Sequence, residues 1–503
     1  MPSNTSLSQP AIRFRHSSLA LFLLLPALGN ANITQSEIID QSVGGVRDCQ
    51  RVDGWFHALQ RQGSFNECIQ VGRKPGDVGK LLVDLPVSVS QTNVQQTSID
   101  TAKGYLYTVN IEPGPRGDVA GSDLLTVVRQ GRQMPNRTWQ WQSAIVDNRT
   151  VYDRWHSAPS VAIDKAGYVH VAYNMHNFPW QYKRSKYPFD IYNFDFKGQE
   201  FSDSQIEQAV TLNRTFLPTL GTADIPGNQI TYPAFFKDVN EDLYVSYRFA
   251  AAPKRNFSER YMSSGVAVYD TATTTWTSIG GNVNHWDGDF EWHADAPSQA
   301  VSFAGERGWT SYLPKLVFDQ QNNMIVSVMW RQGIAGAFVT MPCIMRTSDR
   351  VNATDFSGQH MPMPITPDNC SNVGISNDQQ FNTIGSFAIS NQDVPYMLLS
   401  PSSGKRFIVR YSAADNQWIR EAAPDSTVEI FFDNNDALYA VASGIKIYKR
   451  DNPSSEWNMI YDEGQTTNCF PHVKKDQSGR TAFIHTQSCD QSRVTIYGLR
   501  LHW

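Results

Sequence analysis

Along most of the chain, short apolar runs alternate with polar stretches, and one phrase keeps returning. It is an apolar run, an Asp, a few turn-forming residues, then a second apolar run. Four copies carry a Pro five residues before the Asp: Pro159 to Asp164 (PSVAID), Pro233 to Asp238 (PAFFKD), Pro314 to Asp319 (PKLVFD) and Pro471 to Asp476 (PHVKKD). Looser copies end at Asp100 (TSID) and Asp433 (IFFD), and a third (SFAIS) runs into Asn391. The runs that follow are GYLYTV, GYVHVAY, DLYVSYR, MIVSVMW, VPYMLL, ALYAVA and TAFIH. A strand, a tight turn and a second strand predict a hairpin. A hairpin returning every ~40 to 80 residues predicts a blade repeat. Seven hairpins, each widened by flanking strands, predict an all-β, seven-bladed β-propeller.

The same pattern sets the domain layout. Residues 86–503 are expected to form the propeller, with RVTIYGLRLHW as its last strand. Residues 32–85 precede the first hairpin and are expected to pack on the ring or close it. Residues 1–31 read as an export signal. Arg13, Arg15 and His16 precede the apolar run Leu19 to Leu28, and Gly29-Asn30-Ala31 offers small residues for cleavage. That run is too short to cross a bilayer, so no membrane span is expected.

Cysteine usage agrees with export. The six cysteines fall into sequence-local pairs, Cys49 with Cys68, Cys343 with Cys370 and Cys469 with Cys489, and disulfides are expected for them. The last pair has a rival reading: Cys469, His472, His485 and Cys489 carry a spacing that resembles a structural zinc site. The net charge of −5 argues against nucleic acid, which calls for a basic stripe. A secreted monomer is expected, and any positive charge for an anionic substrate must be local.

Unequal insertions separate the hairpins, the longest over 177–229 and 249–311. The second holds His285, Trp286, Trp292 and His293, a sugar-stacking or calcium-binding loop or else a solvated one. Two hairpins depart from the common pattern. In DRWHSAPSVAIDKAGYVHVAYNMHN, His156 stands three residues before Pro159, and His176 follows the outgoing strand. In QITYPAFFKDVNEDLYVSYRFAA, Tyr232 directly precedes Pro233, and Arg248 ends the outgoing strand. The start of the incoming strand and the end of the outgoing one are the same end of a hairpin. His156, His176, Tyr232 and Arg248 are therefore expected on one rim of two adjacent blades. His170, mid-strand, reads as a satisfied histidine.

These residue types suit β-elimination at a uronic acid. The C5 proton is acidic only if the neighbouring carboxylate is neutralised, which an arginine does with a bidentate contact. A base then takes that proton and an acid protonates the departing O4, parts open to His and Tyr. The set does not supply the two carboxylates that glycosidases use. Asn174, Tyr182, Lys183 and Arg184 join as candidate substrate contacts, the last three in a cationic segment suited to a polyanion.

At HSAPSVAIDKAGYVHVAYNMHN and ITYPAFFKDVNEDLYVSYR the chain resembles the BNR-repeat propeller polysaccharide lyases, specifically the ulvan lyases. The resemblance implies a propeller with a canyon on one face and cleavage of rhamnose-3-sulfate to uronate linkages by β-elimination. It implies proton transfer by His156 and Tyr232, with base and acid unassigned, carboxylate neutralisation by Arg248 and substrate positioning by His176. It implies no catalytic cofactor, though such proteins carry structural metal ions, so a structural calcium or zinc ion stays open. Two alternatives remain. One is a rhamnosidase, or a rhamnose-glucuronate lyase acting on plant gum or arabinogalactan. The other is a non-catalytic carbohydrate-binding propeller.

Overall fold

A computed structural model describes residues 49–56, 61–68, 74–87, 97–113, 124–134, 139–148, 158–178, 180–198, 225, 230–250, 262–282, 301–306, 309–332, 340–375, 379–464, 468–490 and 492–502. All of them belong to the unit Gly44–Trp503. The export signal, His156 and the His285–His293 loop lie outside the described residues.

The described chain is all-β, built from antiparallel meanders taken in sequence order. The first joins Ile99–Ala102, Tyr105–Pro113, Leu124–Gln133 and Trp139–Asp147. Then come meanders that begin at Ser160–Ile163, Ile230–Lys237, Trp309–Phe318, Phe381–Ile389, Thr427–Phe432 and Asn468–Lys475. Each of these first strands touches the next, and Asn468–Lys475 touches Ile99–Ala102. In the last meander the C-terminal strand Arg493–Arg500 pairs with Val78–Pro86. The segment before the first hairpin thus contributes a strand to the final sheet, covering an edge that would otherwise be open.

The recurring Asp has one job in most copies. Asp164 Oδ1 accepts from the amides of Ala166 and Tyr168, both at 2.9 Å. Asp238, Asp319 and Asp433 repeat this with the amides two and four residues on. Asp476 instead takes the amides of Arg480 and Thr481. In the SFAIS copy the turn residue is Ser390, whose hydroxyl accepts from Gln392 and Val394. The residue two before the returning strand takes positive φ in each: Gly167, Glu241, Asn322, Asp393, Asp436 and Gly479. A side-chain oxygen that satisfies turn amides, followed by a left-handed residue, is what closes a short hairpin loop.

Asp100 is the exception. The first hairpin turns through Lys103 and Gly104, both at positive φ, so Asp100 sits within the strand opposite Tyr107. There it is buried, accepts from the Ile163 amide at 2.8 Å, and pairs with Lys237 at 2.7 Å and Lys474 at 3.0 Å. One carboxylate therefore ties four first strands together, including the first to the last.

The prolines mark the opposite strand end. Pro233, Pro314 and Pro471 each fall inside a register shift: between Thr231 and Ala234, Tyr312 and Lys315, Cys469 and His472. Proline cannot donate to the ladder, so it sits where the ladder is broken, and a bulge re-aims the neighbouring side chain. The residues before Pro233 and Pro471, Tyr232 and Phe470, take φ of 58° and 55°.

Candidate active site

The bulge at Pro233 and the end of strand Leu243–Ala250 build the site. Thr231 stands opposite Arg248, and on its other side opposite His176. His176, Thr231 and Arg248 thus form a row across three strands, with Tyr232 the next residue along. Neighbours in such a row lie about 5 Å apart. Three of the four residues expected on the rim are brought together, and the fourth, His156, lies outside the described residues.

Arg248 is the centre of the cluster and is buried. Its guanidinium carbon lies 4.8 Å from the centre of the Tyr232 ring and 4.9 Å from that of the Tyr312 ring, so two phenols pack against it. Planar stacking of this kind is a property of guanidinium that a lysine does not share. The Nε of Arg248 is buried and has no hydrogen-bond partner among the described residues. Burying such a donor costs free energy unless something accepts from it.

Tyr312 and Arg331 are the members that sequence reasoning missed. Arg331 Nη1 donates to the Tyr312 hydroxyl at 3.1 Å. Burial alone would raise the Tyr312 phenol, but the charges of Arg248 and Arg331 outweigh it and hold it below its ordinary value. The signal was present in the fourth hairpin, where Tyr312 precedes Pro314 and Arg331 ends the outgoing strand. Arg331 stands twelve residues past its turn Asp, as His176 does past Asp164. Asn174 stands ten past, as Arg248 does past Asp238, and is buried at φ 59°.

Tyr182, Lys183 and Arg184 are not part of this cluster. They lie on the third strand of their sheet, and each is engaged elsewhere. The Tyr182 hydroxyl meets His170 Nδ1 at 2.6 Å. Lys183 donates to the Val146 carbonyl and reaches Asp147, and Arg184 donates to the Tyr269 hydroxyl. Their placement has a packing reason: the segment after His176 turns back at once to pair with Val169–Ala172, drawing its polar groups into ties between strands. His170 is the satisfied histidine expected, buried between Tyr182 and the turn carboxylate of Asp164. Burial pushes its imidazole down against the pull of Asp164.

The zinc reading of the last pair is corrected. Cys469 and Cys489 form a disulfide, as do Cys343 and Cys370, so the thiolates that zinc needs are absent. His472 does face His485 across the ladder, but His485 spends its nitrogens on Ser98 at 3.1 Å and Asn110 at 3.0 Å. Burial, with the charge of His472, pushes the His485 imidazole down to about 3. For the third pair, the ladder sets Cys49 opposite Cys68, and their side chains lie outside what is described.

The chain is similar to two solved structures over most of its length. Polysaccharide lyase Uly1 superposes with a TM-score of 0.57 at 12% identity, over 90% of this chain and 97% of that one. A PL25 ulvan lyase bound to a GlcA(1-4)Rha3S repeat superposes with a TM-score of 0.53 at 12% identity, over 83% and 95%. At such identity the likeness is one of fold. No curated protein matches the chain. Residues 123–425, more than half of the sequence and including Arg248 and its two tyrosines, match the model of the BNR repeat-containing family. The chain belongs to that family.

Proposed function

We propose that this protein is a secreted, seven-bladed propeller polysaccharide lyase that cleaves an anionic, uronate-containing polysaccharide of the ulvan kind. The fold reading rests on the circular order of contacts among first strands and on the likeness to two polysaccharide lyases. The observation that carries the chemistry is the Arg248 guanidinium, buried against two phenols with a donor to spare.

In this reading Arg248 receives the uronate carboxylate and withdraws charge from it. His156 and Tyr232 carry the two proton transfers. One takes the C5 proton, the C5–H electrons form the C4=C5 double bond, the C4–O4 bond breaks, and the other protonates O4 of the departing sugar. The products are an unsaturated uronate end and a new free hydroxyl, and no cofactor enters the balance. A guanidinium already held in place stabilises the carbanion-like transition state without reorganising, which is where such a group contributes most. Tyr312 is a positioning residue: its hydroxyl, tied to Arg331, fixes the plane of the Arg248 fork. His176 and Asn174 are assigned to the sugar.

The test is incubation with ulvan, with gum arabic and with a neutral glucan, following ultraviolet absorbance and reducing ends together. Chromophore and reducing ends rising together on ulvan support the proposal. Reducing ends without chromophore mean a hydrolase, and neither signal means a binding protein.

A further inference from the structure

The last hairpin repeats the backbone of the Arg248 site with its chemistry removed. In the third hairpin Thr231 pairs with Arg248 and Ala234 with Ser246, leaving Tyr232 and Pro233 in the bulge between. In the last, Cys469 pairs with Gln487 and His472 with His485, leaving Phe470 and Pro471 in the bulge. Phe470 therefore stands where Tyr232 stands, and Gln487 where Arg248 stands. Tyr232 and Phe470 also share their backbone conformation, with φ of 58° and 55°. Given the same φ, the same following Pro and the same pairing on either side, the two side chains leave their strands in the same direction.

Both positions lie on one face. Turns of neighbouring hairpins touch one another: Lys165 pairs with Asp242, the Gln320 amide donates to Asp393, and the Lys103 amide donates to Gln477. With the turns gathered on one face, the Pro ends are gathered on the other. Contacts between first strands put Asn468–Lys475 three steps from Ile230–Lys237, through Ile99–Ala102 and Ser160–Ile163. Phe470 thus shares a face with the Arg248 site and stands across the ring from it.

The position is also clamped. Cys469, directly before Phe470, is disulfide-bonded to Cys489, two residues past Gln487. The Thr486 hydroxyl donates to the Cys469 carbonyl at 2.8 Å. Phe470 is half-buried, whereas its counterpart Tyr232 is buried against Arg248. An aromatic ring held by its backbone yet partly open loses little freedom when a ligand packs on it. A pyranose offers a face of C–H groups that suits such a ring. A phenyl ring cannot move a proton, and an amide at the Arg248 position cannot neutralise a carboxylate, so a sugar here is held rather than cleaved.

We propose that Phe470 is a second sugar platform, stacking a non-reacting residue of the polysaccharide chain whose uronate lies at Arg248. It rests on the reading of this protein as a lyase of such chains, and it gives the chain a hold across the face from the bond that breaks.

Calorimetric titration with ulvan tests it in two full-length proteins, Arg248→Ala and Arg248→Ala with Phe470→Ala, while elimination by the parent is followed separately. Loss of the ring should raise Kd at least about tenfold, the effect of one lost aromatic anchor. Phe470→Trp should restore most of the affinity. Phe470→Leu keeps the bulk without the ring, and it replaces Phe470→Ala should that protein fail to fold. The factor should persist as salt is raised, because stacking is not ion pairing. If the parent cleaves ulvan but Kd is unchanged in folded Phe470 variants, the platform falls and the lyase reading stands. If the parent leaves ulvan intact but loss of the ring weakens binding, the platform stands and the lyase reading falls. No measurable binding of ulvan, or a loss that Phe470→Trp does not restore, overturns the platform.

Discussion

The two ends of the hairpins differ in kind. At the turn end, copies of one device repeat, with a carboxylate accepting turn amides and a left-handed residue closing the loop. At the Pro end the ladder breaks, and what stands there varies from hairpin to hairpin: Tyr232 and Arg248 in one, Tyr312 and Arg331 in the next. Regular turns hold the strands in register, and the register is what allows broken ladder ends to meet as a site. In the proposed reading, chemistry is carried where the repeat is violated and stability where it is obeyed, which is how function is grafted onto a common scaffold.

The sharpest way to break this comparison is at Arg248. Arg248→Ala should lower turnover on ulvan by roughly 10² to 10³-fold or more, with substrate binding much less affected. Arg248→Lys keeps the charge without the planar fork and should recover only part of the rate. Tyr232→Phe and His156→Ala should each abolish elimination. Melting temperatures measured alongside should stay close to that of the parent. Near-parental elimination in a folded Arg248→Ala protein removes Arg248 from the mechanism.

Asp100 gives the largest effect on stability. It lies in no turn, yet it binds two lysines from other sheets. Removing one partner of a buried ion pair costs about 3–5 kcal/mol, so Asp100→Asn should lower the melting temperature clearly. The pH dependence has a definite sign. Burial raises the Asp100 carboxyl, but Lys237 and Lys474 outweigh that and lower it to about 2. A depressed carboxyl contributes stability above its unfolded value, lost as pH falls toward 2, roughly 2 kcal/mol here. Melts between pH 5 and 2 should show the parent converging on Asp100→Asn. A constant gap across that range excludes Asp100 as the hub.

Tyr312 separates positioning from proton transfer. As a holder of Arg248, Tyr312→Phe should raise KM and lower kcat by about tenfold, within the range for a misplaced positioning group. The pH profile of kcat/KM should keep its shape. If Tyr312→Phe is as inactive as Tyr232→Phe and the acid limb of the profile disappears, Tyr312 is the base. In that case Arg331→Gln should move the acid limb alkaline, because losing a guanidinium lets the phenol rise.

Much of the scaffold was legible because turn chemistry is local. Asp, a left-handed residue and the returning strand lie within five or six positions of one another, so spacing alone places them. The rim was legible in part for the same reason: His176, Tyr232 and Arg248 could be placed by counting from a turn. Tyr312 and Arg331 were overlooked because they are offset from that pattern, Tyr312 standing two residues before its Pro where Tyr232 stands one, and Arg331 twelve past its Asp where Arg248 stands ten. Asp100 misled because its sequence context imitates a turn, whereas its partners come from strands more than 130 and 370 residues away. The contacts of Tyr182, Lys183 and Arg184 were beyond reach too, since a cationic stretch reads alike whether it faces solvent or neighbouring strands.

The smallest effect is expected where the repeat is imperfect. Ser390 occupies the turn position that Asp holds elsewhere, and its hydroxyl takes both turn amides at 3.2 Å. In three of the Asp copies the second carboxylate oxygen accepts from the residue six positions on: His170 from Asp164, Tyr244 from Asp238, Tyr439 from Asp433. Six positions past Ser390 is Tyr396, on the same kind of returning strand. Ser390→Asp should therefore find its second partner already present and replace neutral hydrogen bonds with charge-assisted ones. The gain should be about 1 kcal/mol, a rise in melting temperature of about 1 °C for a chain of this size. Ser390→Ala should lose about as much. A folded Ser390→Asp protein that melts below the parent breaks the claim that these turns are interchangeable copies of one device.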